Sequence, residues 1–152
     1  MVNLVRGAFS PLFDRLTGAG GGVPDDALLD SSGLRLSLGR DLERLFNSTS
    51  RLTLSEFLES ELSVLDFGLP DFRELRPRSE QERSLLAAVI GKALDAFESR
   101  LDMVQVSVDL GGGIPPQVTV AIEGAVRLGS QLRRVDFQVD VMPGAATTLD
   151  AA

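Results

Sequence analysis

Hydrophobic positions recur along this chain with two different periods, and the change of period divides it. Leu34, Leu38, Leu42 and Leu45 fall on one helical stripe, with Arg40, Glu43 and Arg44 on the opposite side. Ser37 reads as an N-cap, so the spacing predicts a helix from there to about Asn47. A second helical stretch is expected at about Ser55 to Leu65, ended by Gly68-Leu69-Pro70-Asp71, and Arg76-Pro77 marks a further loop. The longest helix opens near Ser79 and runs to about Glu98. Its buried face is Leu86, Val89, Ile90, Ala93, Leu94 and Phe97, extended by Leu101.

The last third then alternates. Val104, Val106, Val108 and Leu110 interleave with Gln105, Ser107 and Asp109. Val118, Val120 and Ile122 interleave with Thr119, Ala121 and Glu123, continuing through Val126 and Leu128. Val135, Phe137, Val139 and Val141 interleave with Asp136, Gln138 and Asp140. These are three strands with one buried face each, joined by Gly111–Pro116 and by Gly129-Ser130 as a meander. Three strands alone are marginal, and the helix ending at Phe97 is the natural cover. The predicted class is α+β: N-terminal helices and a long central helix packed on a C-terminal three-stranded, mainly antiparallel sheet. Residues 1–33 read as a flexible leader, with a short amphipathic turn around Phe9, Leu12, Phe13 and Leu16 and a Gly-rich spacer at 18–24. The domain proper spans 34–142, and 143–152 reads as a disordered tail.

Composition narrows the chemistry. In 152 residues there is no cysteine, histidine, tyrosine or tryptophan. Disulfides, thiolate metal sites and imidazole general bases are therefore excluded, and the usual rings for sugar or base stacking are missing. No cofactor or metal is expected. The net charge of −7 disfavours binding along a nucleic-acid backbone. No apolar run approaches the length of a membrane span, and Arg6 interrupts the N-terminal start, so the expected location is cytoplasmic.

Short motifs add little alone. Asp66-Phe67-Gly68 lacks every companion of a kinase site, and Gly20–Gly22 and Gly111–Gly113 lack the ending of a phosphate loop. Glu98 with Asp102, or Glu80 with Glu82, are nominal carboxylate pairs for hydrolysis, but 22 acids in the chain make such pairs common by chance. Phe97-Glu98-Ser99-Arg100-Leu101 is more informative. Glu98 and Arg100 fall on opposite shoulders of the buried stripe, and residues two apart do not face each other on a helix, so the two are poorly placed to pair locally. Each would then find a partner elsewhere, as a boundary charge, an internal cap or an interface residue.

Four stretches, in order, resemble the TssE family of baseplate wedge subunits of type VI secretion systems. They are Pro11-Leu-Phe-Asp-Arg-Leu16, Arg40-Asp-Leu-Glu-Arg-Leu-Phe-Asn47, Ser63-Val-Leu-Asp-Phe-Gly-Leu-Pro-Asp-Phe72, and Ile90 through Leu101. The third is the most specific. The last is similar to a family helix ending in Phe-Glu-Pro-Arg-Leu, with Ser99 in place of the proline. The resemblance implies a structural, non-enzymatic role in a cytoplasmic baseplate with homologues of TssF, TssG and TssK, and initiation of the contractile sheath. It also implies that Glu98 and Arg100 are the partner-interface residues. An equivalent wedge of a phage tail or extracellular contractile particle is the alternative, and the family's older lysozyme-like label leaves a peptidoglycan hydrolase as a third reading.

Overall fold

The computed structural model describes residues 8–9, 16, 28–29, 31–72, 78–111, 118–141 and 148–150. Most of the leader turn, the Gly18–Pro24 spacer, the Arg76-Pro77 loop and most of the Gly111–Pro116 link lie outside the described residues. Two short strands near the N-terminus, β1 (Ala8–Phe9) and β2 (Leu28–Leu29), pair antiparallel.

Helix α1 spans Ser31–Phe46 and buries Leu34, Leu38, Leu42 and Leu45, the stripe expected from their spacing. It begins six residues before the expected cap. Ser37 is fully buried inside the helix, and its hydroxyl accepts a bond from Arg100 rather than capping the helix backbone. Helix α2 (Leu54–Glu59) opens on a capping box, in which Thr53 and Glu56 each accept from the other's backbone N–H. It stops well short of Leu65. The cause is polar: Ser60 adopts an extended backbone, and Lys92, the sole lysine of the chain, donates to Leu58 O at 2.6 Å and Ser60 O at 2.7 Å. Those are orphan carbonyls at a helix end, satisfied here by a neighbouring helix.

Helix α3 (Glu80–Phe97) starts at the expected N-cap, Ser79, whose hydroxyl accepts from Glu82 N. Its buried face is Leu86, Val89, Ile90, Ala93 and Leu94. It covers an antiparallel sheet of β3 (Leu101–Leu110), β4 (Val118–Leu128), β5 (Gln131–Val141) and β6 (Thr148–Asp150), in that order. The three long strands are those the alternation predicts. The short β6 is an addition carrying no alternation of its own, paired to β5 only over Gln138–Asp140.

Fully buried Val120, Ile122, Phe137 and Val139 supply the sheet side of the core, against α3 and the leucines of α1. Each such side chain stabilises the fold by about 1.5–3 kcal/mol relative to exposure. Gly129 turns β4 into β5 with φ +62°. Strand β3 carries a bulge between Asp102 and Gln105, where Met103 takes φ +53° and remains mostly exposed.

Candidate partner-docking site

Helix α3 ends at Phe97 although no proline follows it. Glu98 leaves helical geometry (φ −124°, ψ 75°) while its N–H still bonds Leu94 O. Its carboxylate then folds forward onto the next residues. Oε1 accepts from Arg100 N at 3.2 Å and Arg100 Nε at 2.7 Å, and Oε2 accepts from an Arg100 terminal nitrogen at 2.6 Å. Leu101 N bonds Glu98 O, and β3 begins. The carboxylate of Glu98 therefore closes the link between α3 and β3 with its own hydrogen bonds.

This corrects one sequence expectation. The helical stripe sets Glu98 and Arg100 on opposite shoulders, poorly placed to pair. Once the helix stops at Phe97, the geometry that kept them apart no longer applies. They form a forked, two-bond ion pair.

The pair extends to α1. Arg100 donates to Ser37 Oγ at 3.1 Å and to Asp41 Oδ2 at 2.5 Å, and Asp41 Oδ1 in turn takes Arg44 at 2.5 Å. Glu98 is only 6% exposed, whereas Arg100 and Asp41 remain partly open to solvent. Burial alone would depress the Arg100 pKa. The hydrogen bonds and charges of Glu98 and Asp41 more than offset it and hold the guanidinium above its usual value. A buried carboxylate in the position of Glu98 needs such a partner, because leaving one charge of a buried pair alone costs about 3–5 kcal/mol.

A second joint stands beside the first. The segment Ser63–Phe72 is a turn fixed by its own polar groups. Ser63 and Asp66 form a capping box around a 3₁₀ turn (Val64–Asp66), and Arg51 donates to Asp66 at 2.9 Å. The backbone bonds from Ser63, then its hydroxyl and Arg51, hold the Asp66 carboxyl below the usual range. Gly68 takes φ +112°, and a Cβ there would lie 2.5 Å from Ser48 O. Leu69 N bonds Ser48 O and Ser50 N bonds Leu69 O, clamping the segment to the turn after α1. The Asp66-Phe67-Gly68 triplet thus has a structural explanation: a cap, an outward ring and a left-handed hinge.

Between the two joints lies an open cleft of about 400 Å³. Its charged wall is Asp41, Arg44, Glu98 and Arg100, and its apolar wall is Phe67 and Phe97, whose rings meet edge to face at 5.3 Å. Ser99, exposed, sits on the rim. Three of the four stretches singled out by resemblance, far apart in the chain, supply this lining. The fourth, Pro11–Leu16, lies outside the described residues except for Leu16. Sequence reasoning named Glu98 and Arg100 but missed Asp41, Ser37 and Phe67. Asp41 and Phe67 stood inside the resembling stretches, but only the fold shows that these touch Arg100 and Phe97.

The nominal hydrolase carboxylates have other occupations. Glu98 is held by Arg100, and Glu80 and Glu82 lie in the first turn of α3, where acids complement the helix dipole. Among the described residues no group of acids is arranged to hold a metal, and no helix is long and apolar enough to cross a membrane.

Comparison with known proteins gives one result. The family model described as baseplate wedge protein gp25 matches residues 32–131, which takes in all of α1 but Ser31, then α2, α3, β3, β4 and the whole cleft. No curated protein and no solved structure matches the chain.

Proposed function

The chain belongs to the baseplate wedge protein gp25 family, and from that premise we propose that it is the wedge subunit of a type VI secretion baseplate. It docks to homologues of TssF, TssG and TssK in the cytoplasm and starts assembly of the contractile sheath. It has no catalytic turnover of its own. The observation that carries the docking reading is the convergence of three resembling stretches on one open cleft. Glu98 and Arg100 serve the interface by fixing the shape of that cleft rather than by reaching out as free charges, since each is already engaged within the fold. The sheath role draws on the sheet: β3 is paired only on its β4 side among the described residues, and an edge strand of that kind can accept another chain.

Because Glu98 is buried, alanine at Glu98 or Arg100 would mix folding with docking. Ser99→Tyr fills the rim of the cleft without touching the ion pairs. The expected result is loss of co-purification with the TssF and TssG homologues at unchanged melting temperature and far-UV dichroism. Undiminished co-purification of S99Y would remove the cleft from the interface. Release of muropeptides from purified peptidoglycan by the pure chain would overturn the non-enzymatic reading.

A further inference from the structure

Three large apolar side chains stand outward on the 3₁₀ turn and the residue that ends it, next to the cleft: Val64 is 85% exposed, Leu65 75% and Phe67 40%. Exposed apolar groups scattered singly are ordinary, but a contiguous set on one turn marks an interaction surface. The turn is also stiff. The Ser63–Asp66 box, the Arg51–Asp66 ion pair, the left-handed Gly68 and the Leu69 clamp fix it from both ends. Nothing in the core needs Val64 or Leu65 to point outward, so the fold spends several specific polar bonds on holding two apolar side chains in water. Rigid apolar anchors of this kind dominate binding energy because little ordering entropy remains to be lost.

The charge around the turn selects the partner. From Leu52 to Phe72 the chain contains Glu56, Glu59, Glu61, Asp66 and Asp71 but no lysine or arginine. Glu56, Glu59, Glu61 and Asp71 are exposed, and the buried Asp66 is paired with Arg51. An apolar segment flanked by acids would be repelled here, and one flanked by basic residues would be drawn in.

We propose that the Val64–Leu65–Phe67 turn is the anchor for a segment of a neighbouring baseplate subunit that carries apolar side chains flanked by lysine or arginine. That segment continues from the turn into the cleft, with an apolar side chain against Phe67 and Phe97. The assignment rests on the wedge reading and adds to it the place of first contact and the chemistry of what binds there.

The test uses the full-length chain and purified TssF and TssG homologues, measured by biolayer interferometry at two salt concentrations. Val64→Ser with Leu65→Ser should weaken binding at least about tenfold. Glu59→Lys with Glu61→Lys should weaken it as well and flatten its salt dependence, since these exposed acids would no longer attract basic groups. Both double variants alter only exposed side chains, and melting temperature confirms that each folds. Wild-type binding matched by both variants would overturn the anchor while leaving the wedge reading in place. Failure of the wild type itself to bind would remove both. Self-association of the wild type abolished by V64S/L65S in sedimentation velocity would assign the turn to a second copy of the chain and overturn the proposal.

Discussion

The sheet half of this protein and its α1–turn–α3 joint are built on different principles. In β4 and β5, structure follows mainly from alternation: Val120, Ile122, Phe137 and Val139 face in, and the residues beside them are more exposed. Between Ser37 and Arg100 the joint is held by particular polar contacts, namely Glu98 on Arg100, Arg100 on Ser37 and Asp41, Asp66 on Ser63, and Leu69 N on Ser48 O. The first principle tolerates exchange among apolar residues of similar volume. The second does not, because each bond needs one donor, one acceptor and one angle. A region built that way is costly to alter and well suited to present a fixed surface.

Substitutions in the two halves should separate these principles. Phe137→Ala, in the sheet core, should lose the most, about 4 kcal/mol by urea denaturation, through burial and cavity terms. Arg100→Ala should cost about 3 kcal/mol, because Glu98 is left buried without its partner. Replacing both, as Glu98→Met with Arg100→Met, should cost less than Arg100→Ala alone. A pair more damaging than the single change would mean that the joint is held by packing rather than by charge pairing. Gly68→Ala should cost about 2–3 kcal/mol, from left-handed strain and the clash with Ser48 O. Its loss should appear as faster hydrogen exchange at Ser50 and Leu69, with the sheet amides unaffected.

Acid provides a gentler comparison. Bonds from the Thr53 backbone and hydroxyl hold the Glu56 carboxyl low, as those from Ser63 do for Asp66. A carboxyl whose folded pKa lies below its unfolded value stabilises the fold fully above about pH 5. That contribution shrinks as pH falls through about 4 and is gone below the folded pKa. The turn bearing Val64 and Leu65 should therefore loosen in acid before the sheet does, and Ser63→Ala should flatten the pH dependence of stability in that window. The smallest effect belongs to β3. Met103→Gly relieves a positive φ on an exposed residue and should stabilise by about 0.5 kcal/mol, the backbone relief being partly offset by the freer unfolded chain.

The same division explains how much was legible in the sequence. Period alone located α3, its Ser79 cap, the stripe of α1 and the three long strands, because burial on one face leaves a regular trace. It misplaced the start of α1, since a serine before a leucine stripe looks the same whether its hydroxyl caps a helix or receives an arginine 63 residues away. It overran α2, because the carbonyls that end it are taken by Lys92 from another helix. It kept Glu98 and Arg100 apart because helical geometry was carried past Phe97. Resemblance marked the stretches that form the cleft, but their convergence is a tertiary fact with no periodic signature.

Docking to baseplate partners through the cleft and its neighbouring turn is the proposal on which the others depend. Hydrogen–deuterium exchange of the full-length chain, with and without the TssF and TssG homologues, addresses it most directly. Protection on binding is expected at residues 41–45, 63–72 and 97–101. Protection confined to the sheet, with those three segments exchanging as in the free chain, would contradict it.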